Sequence, residues 1–97
     1  MGKEIKYITQ YESLVRDKDV PRLDTYWQRE ISTAIKQKLT TKPDLYGTPL
    51  RQSLKGFRKL RVGDYRVVYT IKKKIVRIVI IGHRSEVYQE IVKRLRL

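Results

Sequence analysis

Three strand-like stretches follow one another closely in the second half of the chain, and they constrain the fold more than any other feature. They are Leu54–Val62, Asp64–Lys72 and Ile75–Gly82, separated by a Gly-Asp step at 63–64 and a lysine tip at 72–74. Their apolar residues recur with the two-residue period of a strand. Because such short connections join antiparallel neighbours, these stretches predict an antiparallel meander.

The first half of the chain predicts one strand and a helical region. Residues 4–9 alternate as a strand does, and the polar stretch from 11 to 18 predicts a turn. From Val20, with Pro21 near the start, an apolar residue recurs every fourth position as far as Leu39. This spacing predicts one amphipathic helix, or two short helices joined. Two prolines and a glycine between 41 and 50 then predict a loop.

A last helix is predicted from the stretch SEVYQEIVKRLRL. Ser85 is the expected N-cap, and Val87, Ile91 and Leu95 fall on one side. The 97 residues suffice for one modest core, so a single domain over 1–97 is expected. We predict an α+β fold: a small antiparallel sheet, made of the N-terminal strand and the three-stranded meander, with the N-terminal helix or helical hairpin on one face and a short C-terminal helix.

The charge of the chain is large and uneven. Lys and Arg number 23 against 10 Asp and Glu, a formal charge of +13. Residues 1–48 carry 9 basic and 7 acidic side chains, whereas residues 49–97 carry 14 and 3. Such an excess predicts a polyanionic partner for the second half of the chain.

Several functional classes are excluded or disfavoured by residue content. Without cysteine, neither a disulfide framework nor thiolate chemistry is available, and a single histidine argues against a His-built metal site. No signal peptide and no apolar run of about 18 residues is present. We therefore expect a soluble, cytoplasmic protein without a metal site.

Alternation assigns the residues of the meander to two faces. Leu60 and Val62 are assigned to the core face, as are Tyr65, Val67, Tyr69 and Ile71 of the second strand and Val76, Ile78 and Ile80 of the third. The opposite face then receives Lys59, Arg61, Arg66, Arg77 and, if the strand continues, His83. Few carboxylates lie nearby in sequence, so an open anion site is predicted, although a solvated basic face is the alternative. A β-bulge near Gly63 would shift part of this assignment.

The segments PLRQSLKGFRKLRVGDYRVVYTI and IGHRSEVY resemble the RelE/ParE toxin superfamily of bacterial and archaeal toxin–antitoxin systems. The similarity covers roughly residues 49–92. It implies an α+β fold whose helices cover one sheet face while the other binds RNA. RelE-like members cut mRNA in the ribosomal A site without metal or cofactor: the ribose 2′-OH attacks the adjacent phosphate and leaves a 2′,3′-cyclic phosphate.

The resemblance also implies residue roles. Lys59 matches the position of the general base, Arg61 and Arg66 would bind the phosphate, His83 or Arg84 would be the acid, and Tyr88 would stack on a base. Further RNA contacts are expected from Lys55, Arg58, Lys73 and Arg77. Phe57 stands where some ribosome-dependent members carry another basic residue, which leaves the identity of the base open.

Two other functions remain open at this point. ParE-like relatives share the fold and poison DNA gyrase without cutting RNA, and an inactive member would bind only RNA or its antitoxin. The resemblance further implies an acidic antitoxin as partner in a hetero-oligomer.

Overall fold

A computed structural model describes residues 6–96 as one five-stranded sheet with helices on both faces. The strands are β1 (Ile8–Tyr11), β2 (Thr48–Pro49), β3 (Phe57–Val62), β4 (Tyr65–Lys72) and β5 (Ile75–His83), in the sheet order β1-β5-β4-β3-β2. The predicted antiparallel meander of β3, β4 and β5 is confirmed. The predicted N-terminal strand is present from Ile8, but it pairs with β5 in parallel, which makes the sheet mixed; residues 4–5 of that prediction lie outside the described residues.

The helical elements confirm the α+β class and change its details. They are α1 (Thr25–Ala34), which continues as a π-helical turn (Ile35–Leu39), the short α2 (Pro43–Tyr46) inside the predicted loop, a 3-10 turn (Gln52–Leu54) and α3 (Val87–Leu95). The 3-10 turn ends at Leu54, where the first strand of the meander was expected to begin, so β3 starts later, at Phe57. A second π-helical turn, Val15–Asp19, occupies the predicted polar turn. Within residues 6–96, none of these helices combines the length and apolarity that crossing a membrane requires.

The N-terminus of α1 is capped by a side chain, whereas that of α3 is not. Asp24 caps α1, since its Oδ1 accepts from the Trp27 N–H at 3.0 Å, so the helix begins after Pro21. The expected cap of α3 is wrong. Glu86 occupies the N-cap position without a capping bond, and the Ser85 hydroxyl instead lies 2.8 Å from Nδ1 of His83.

The larger core lies on the side of the sheet that α1 covers, here called the helix face. Leu60 of β3 and the β4 residues Val67 and Tyr69 are buried there against Ile31 and Ile35. Tyr65, Ile71 and Val62 pack around the same core, so the predicted faces of β3 and β4 are confirmed. The other side, which carries Lys59, Arg61 and Arg66, is called the basic face.

A β-bulge changes the faces of the second half of β5. Val68 pairs with Ile80, whereas the next residue, Tyr69, pairs with Ile78, which leaves Val79 as an extra residue. Because one extra residue reverses the alternation, Ile81 joins the core of the helix face and Ile80 lies under α3 on the basic face. The expected face of Ile80 is therefore wrong, and the shift arises at Val79 rather than near Gly63.

The basic face is partly covered by a second apolar cluster. α3 runs over the sheet and buries Val87 and Ile91 against Val68, Val79 and Ile80. Leu50, Leu54, Phe57 and Leu95 pack around this cluster. The cations of the basic face therefore lie beside a docked helix and not on a bare sheet.

A buried ion pair completes the edge of β5 where β1 ends. Among the described residues, no strand lies on that side of β5 beyond Ile78, and the Ile81 N–H donates to the Asp19 carboxylate at 3.0 Å. Arg94 of α3 donates to both oxygens of that carboxylate and, at 3.3 Å, to the carbonyl of Val79. The hydrogen bonds that Arg94 donates to the Asp19 carboxylate hold the pKa of Arg94 above its usual value. The pair thus joins the N-terminal segment, β5 and α3.

Candidate active site

Two arginines face each other across β3 and β4 on the basic face. Arg61 and Arg66 are directly paired in the register. Like charges at opposed positions destabilise a sheet. Within residues 6–96 neither guanidinium forms an ion pair with a carboxylate. A bound anion would relieve this repulsion, and phosphate suits two adjacent guanidinium groups.

The guanidinium of Arg66 is held at one end of the sheet. Its Nη1 donates to the carbonyls of Gly63 and Tyr65, each at 3.0 Å, in the turn between β3 and β4. Gly63 has φ +58° there, and a Cβ at this position would overlap the ring of Trp27. The two carbonyls therefore fix where Arg66 presents its charge.

Lys59 and Tyr88, 29 positions apart in sequence, meet next to this arginine pair. Lys59 Nζ donates to the Tyr88 hydroxyl oxygen at 2.6 Å and lies 5.2 Å from the centroid of the tyrosine ring. Lys59 extends from β3, and Tyr88 is in the first turn of α3 and is 40% exposed. An amine, a phenol and two guanidinium groups thus share one surface. The guanidinium groups can bind a polyanion, and the amine and the phenol can take part in proton transfer on it.

His83 lies on the other side of the sheet from these groups. It pairs with Tyr65 in the register, and the two rings meet edge to face with centroids 5.5 Å apart. The prediction that His83 joins Lys59 and the arginines on one face is wrong, because the bulge at Val79 reverses the alternation before the strand ends. The role of His83 as an acid stays an untested prediction.

Arg84 follows at the end of the sheet. Its N–H donates to the carbonyl of Asp64 at 2.8 Å, and its Nε lies 3.6 Å from the Asp64 carboxylate. Both side chains of this pair are more than half exposed, so the contact restrains the guanidinium weakly. Arg84 is therefore accessible at the same end of the sheet as the Arg66 guanidinium.

The remaining predicted RNA contacts have different surroundings. Arg77 pairs with Glu12 at 2.9 Å. Arg58 is half-buried and donates to the carbonyls of Asp44 and Gly47, which anchors α2 instead of exposing a cation. Lys55 and Lys73 are exposed, Lys73 at the tip of the β4–β5 hairpin. The guanidinium of Arg58 is therefore engaged within the protein and does not contribute an open cation to the basic face.

The sequence did not reveal the carboxylates that pair with two of the arginines. Glu12 reaches Arg77 because β1 is parallel to β5, and Asp19 reaches Arg94 over 75 positions. Neither contact has a local sequence signal. Among residues 6–96, no three side chains of His, Asp or Glu are grouped as metal ligands.

Most of the chain matches the model of a known protein family. Residues 6–88 match the model described as the ParE toxin of the type II toxin–antitoxin system parDE. The chain belongs to this family. No curated protein sequence matches it.

Solved structures with the same fold include toxins of this superfamily. A chain of the toxin–antitoxin complex RelBE2 from Mycobacterium tuberculosis is 27% identical, with a TM-score of 0.76 over 82% of this chain and 100% of that one. The isolated Escherichia coli RelE toxin is 24% identical, with a TM-score of 0.66 over 92% and 98%. A chain of the archaeal RelE–RelB complex from Pyrococcus horikoshii is 20% identical, with a TM-score of 0.65 over 82% and 97%. The last two similarities concern the fold alone. The family match and these structures confirm the resemblance to the RelE/ParE superfamily.

Proposed function

We propose that this family member is a ribosome-dependent mRNA endonuclease that acts in the cytoplasm without a metal ion. The observation that carries the proposal is the contact of Lys59 with Tyr88 beside Arg61 and Arg66, neither of which has a carboxylate partner within residues 6–96. A surface that only binds nucleic acid needs cations. It does not need an amine held by a phenol next to two opposed guanidinium groups.

The proposed reaction is an internal transfer of the phosphoryl group. The ribose 2′-oxygen bonds to phosphorus, the bond from phosphorus to the 5′-oxygen breaks, and the products are a 2′,3′-cyclic phosphate and a 5′-hydroxyl. Lys59 Nζ, in its uncharged amine form, takes the proton of the 2′-hydroxyl, and Arg61 and Arg66 bind the charge that grows on the phosphate oxygens. Arg84 gives a proton to the departing 5′-oxygen, which becomes the 5′-hydroxyl, because His83 lies on the helix face.

Tyr88 has two parts in this scheme. Its hydroxyl accepts from Lys59 and so orients the amine toward the RNA. Its exposed ring offers a surface on which a base of the message stacks. The Arg94–Asp19 pair holds α3, and therefore Tyr88, against the sheet.

In vitro translation followed by primer extension tests the proposal. The wild-type protein is expected to give cuts within the message only when ribosomes are present, and Lys59→Met is expected to give none. Lys36→Met, which removes an exposed lysine outside the basic face, is the matched control and should cut as the parent does. Intact message with the wild-type protein would contradict the proposal.

Gyrase inhibition is a second candidate because the matching family model is that of ParE. A supercoiling assay with purified gyrase separates the two. The ParE-like function predicts DNA breaks and intact message, whereas the endonuclease predicts unaffected gyrase.

We also propose an acidic antitoxin as the partner. The net charge of residues 49–97 has little internal compensation, and several solved structures of this fold are toxin–antitoxin complexes by description. A short acidic protein encoded next to this chain is expected to co-purify with it and to abolish its toxicity. Independent migration of the two proteins would contradict this pairing.

A further inference from the structure

A cavity of about 300 Å³ opens on the helix face at the same end of the sheet as the Arg66 guanidinium. Its apolar wall is formed by Leu23, Tyr65 and Ile81. Its polar wall is formed by Arg22, His83 and Glu86, with the buried Asp19 behind. None of the roles proposed above uses this cavity.

The cavity does not have the charge of a phosphate site. Arg22 is opposed by Glu86 at 3.8 Å, and Asp19 is neutralised by Arg94. The lining therefore has no net positive charge to offer an anion. An aromatic wall with both donors and acceptors is instead suited to a planar, neutral and polar group.

The histidine presents a hydrogen-bond donor. Its Nδ1 accepts the N–H of Ser85 at 3.2 Å and lies 2.8 Å from the Ser85 hydroxyl. Because Nδ1 is an acceptor, the neutral ring carries its proton on Nε2. Nε2 has no hydrogen-bond partner within residues 6–96, so this N–H remains available to a ligand.

The cavity and the arginine pair are back to back. Arg66 is paired in the register with Gly82, which stands between the cavity residues Ile81 and His83. The Arg66 guanidinium is itself held at the turn that ends in Tyr65, another cavity residue. A nucleotide chain with a phosphate at Arg66 therefore needs only to pass the end of the sheet to reach the cavity.

We infer that the cavity binds a nucleobase of the same RNA strand whose phosphate lies at Arg61 and Arg66. This inference rests on the proposed function and extends it, because it assigns His83 to recognition of a base and not to proton transfer. Arg22 and Glu86 form a weak, exposed pair that can open to contact the edge of the base.

Trp27 supplies a probe that is independent of cleavage. It is the single tryptophan of the chain, and its ring lies 5.1 Å from that of Tyr65 between centroids. An RNA trinucleotide is expected to change the Trp27 fluorescence saturably, and inorganic phosphate is not. The same trinucleotide with one abasic position should bind about tenfold more weakly, since stacking on an aromatic side chain is lost.

Variants decide whether the base occupies this cavity. His83→Ala and Arg22→Ala remove polar contacts to the base but keep the Tyr65 ring, so both are expected to reduce the tenfold difference. Arg29→Ala, on the exposed side of α1, should keep it in full. Equal binding of both trinucleotides by the wild-type protein, or no saturable change, would overturn the inference. The inference would also be overturned if His83→Ala still bound the complete trinucleotide tenfold more tightly than the abasic one but no longer cut message at saturation. That result would indicate that His83 is a proton donor.

The proposed endonuclease is judged separately by the translation assay. If the protein binds trinucleotides in a base-dependent way but does not cut message, the base site is supported and the endonuclease is rejected. If it cuts message but shows no base-dependent binding, the endonuclease is supported and the base site is rejected.

Discussion

Arg94 of α3 and Asp19 of the π-helical turn Val15–Asp19 form a bidentate ion pair, with Nη1 to Oδ2 at 2.7 Å and Nη2 to Oδ1 at 3.0 Å. Both side chains are less than one tenth exposed. The same carboxylate accepts the N–H of Ile81, and the same guanidinium donates to Val79. In residues 6–96 no strand pairs with this edge of β5 beyond Ile78, and the ion pair takes that place because it satisfies backbone groups that would otherwise be buried without partners.

Removal of this carboxylate should destabilise the protein strongly. We expect Asp19→Ala to lower the free energy of unfolding by about 3–5 kcal/mol, because Arg94 would remain buried without its counter-charge. Asp17→Ala is the matched control: it removes an exposed carboxylate two positions away, which forms an exposed ion pair with the adjacent Arg16, and should cost less than about 1 kcal/mol. Chemical denaturation measures both, and equal midpoints would contradict the structural role of Asp19.

Stability should also depend on pH through Glu90. Hydrogen bonds from Arg94 and then Lys18 lower the pKa of this carboxyl from its ordinary value of 4.5. The folded state therefore releases this proton at a lower pH than the unfolded state, so the stabilisation is present above about pH 4.5 and is lost as pH falls through the folded pKa. Glu90→Gln should reduce the slope of unfolding free energy against pH in this acidic range. An unchanged slope would show that other carboxyl groups, and not Glu90, determine how stability depends on pH in this range.

Arg66→Ala should separate activity from stability. The proposed phosphate contact predicts a loss of cutting rate of about 10²-fold or more. Because the substitution also relieves the repulsion with Arg61, we expect the melting temperature to stay equal or rise. A variant that cuts as fast as the parent would show that the phosphate lies elsewhere.

Tyr88→Phe and Tyr88→Ala should have distinct effects. Phenylalanine keeps the ring but removes the oxygen that accepts from Lys59, so the cutting rate at saturation should fall while the affinity for message stays. Alanine also removes the stacking surface and should weaken affinity about tenfold. Single-turnover cleavage on ribosomes at several toxin concentrations resolves rate and affinity, and a normal rate for Tyr88→Phe would contradict the orienting role.

Gly47 should not tolerate a side chain. A Cβ there would overlap the hydroxyl of Tyr69 and lie 2.8 Å from its Cζ, while that hydroxyl donates to the Pro43 carbonyl at 2.6 Å. Gly47→Ala should therefore cost about 1–3 kcal/mol of unfolding free energy. Adding Tyr69→Phe removes the overlapping oxygen, so the double variant should lose less than the sum of the single ones. Strict additivity in this cycle would exclude the overlap as the cause.

The sequence alone determined the meander and the faces of β3 and β4. Two-residue alternation is a local property, and the short connections allow only antiparallel neighbours. Alternation alone therefore predicts that Lys59, Arg61 and Arg66 lie on one face of the sheet. The excess of cations over carboxylates in residues 49–97 similarly indicated an anionic partner.

The tertiary structure decided the face of His83, the parallel pairing of β1 and the docking of α3. The extra residue in β5 lies at Val79, whose carbonyl accepts from Arg94, and Asp19 bonds to the N–H of Ile81. These partners come from distant parts of the chain, so no pattern within β5 reveals the bulge. Once the bulge reverses the alternation, His83 lies beside Tyr65 and the cavity, while Tyr88 reaches Lys59 only because α3 packs on the basic face.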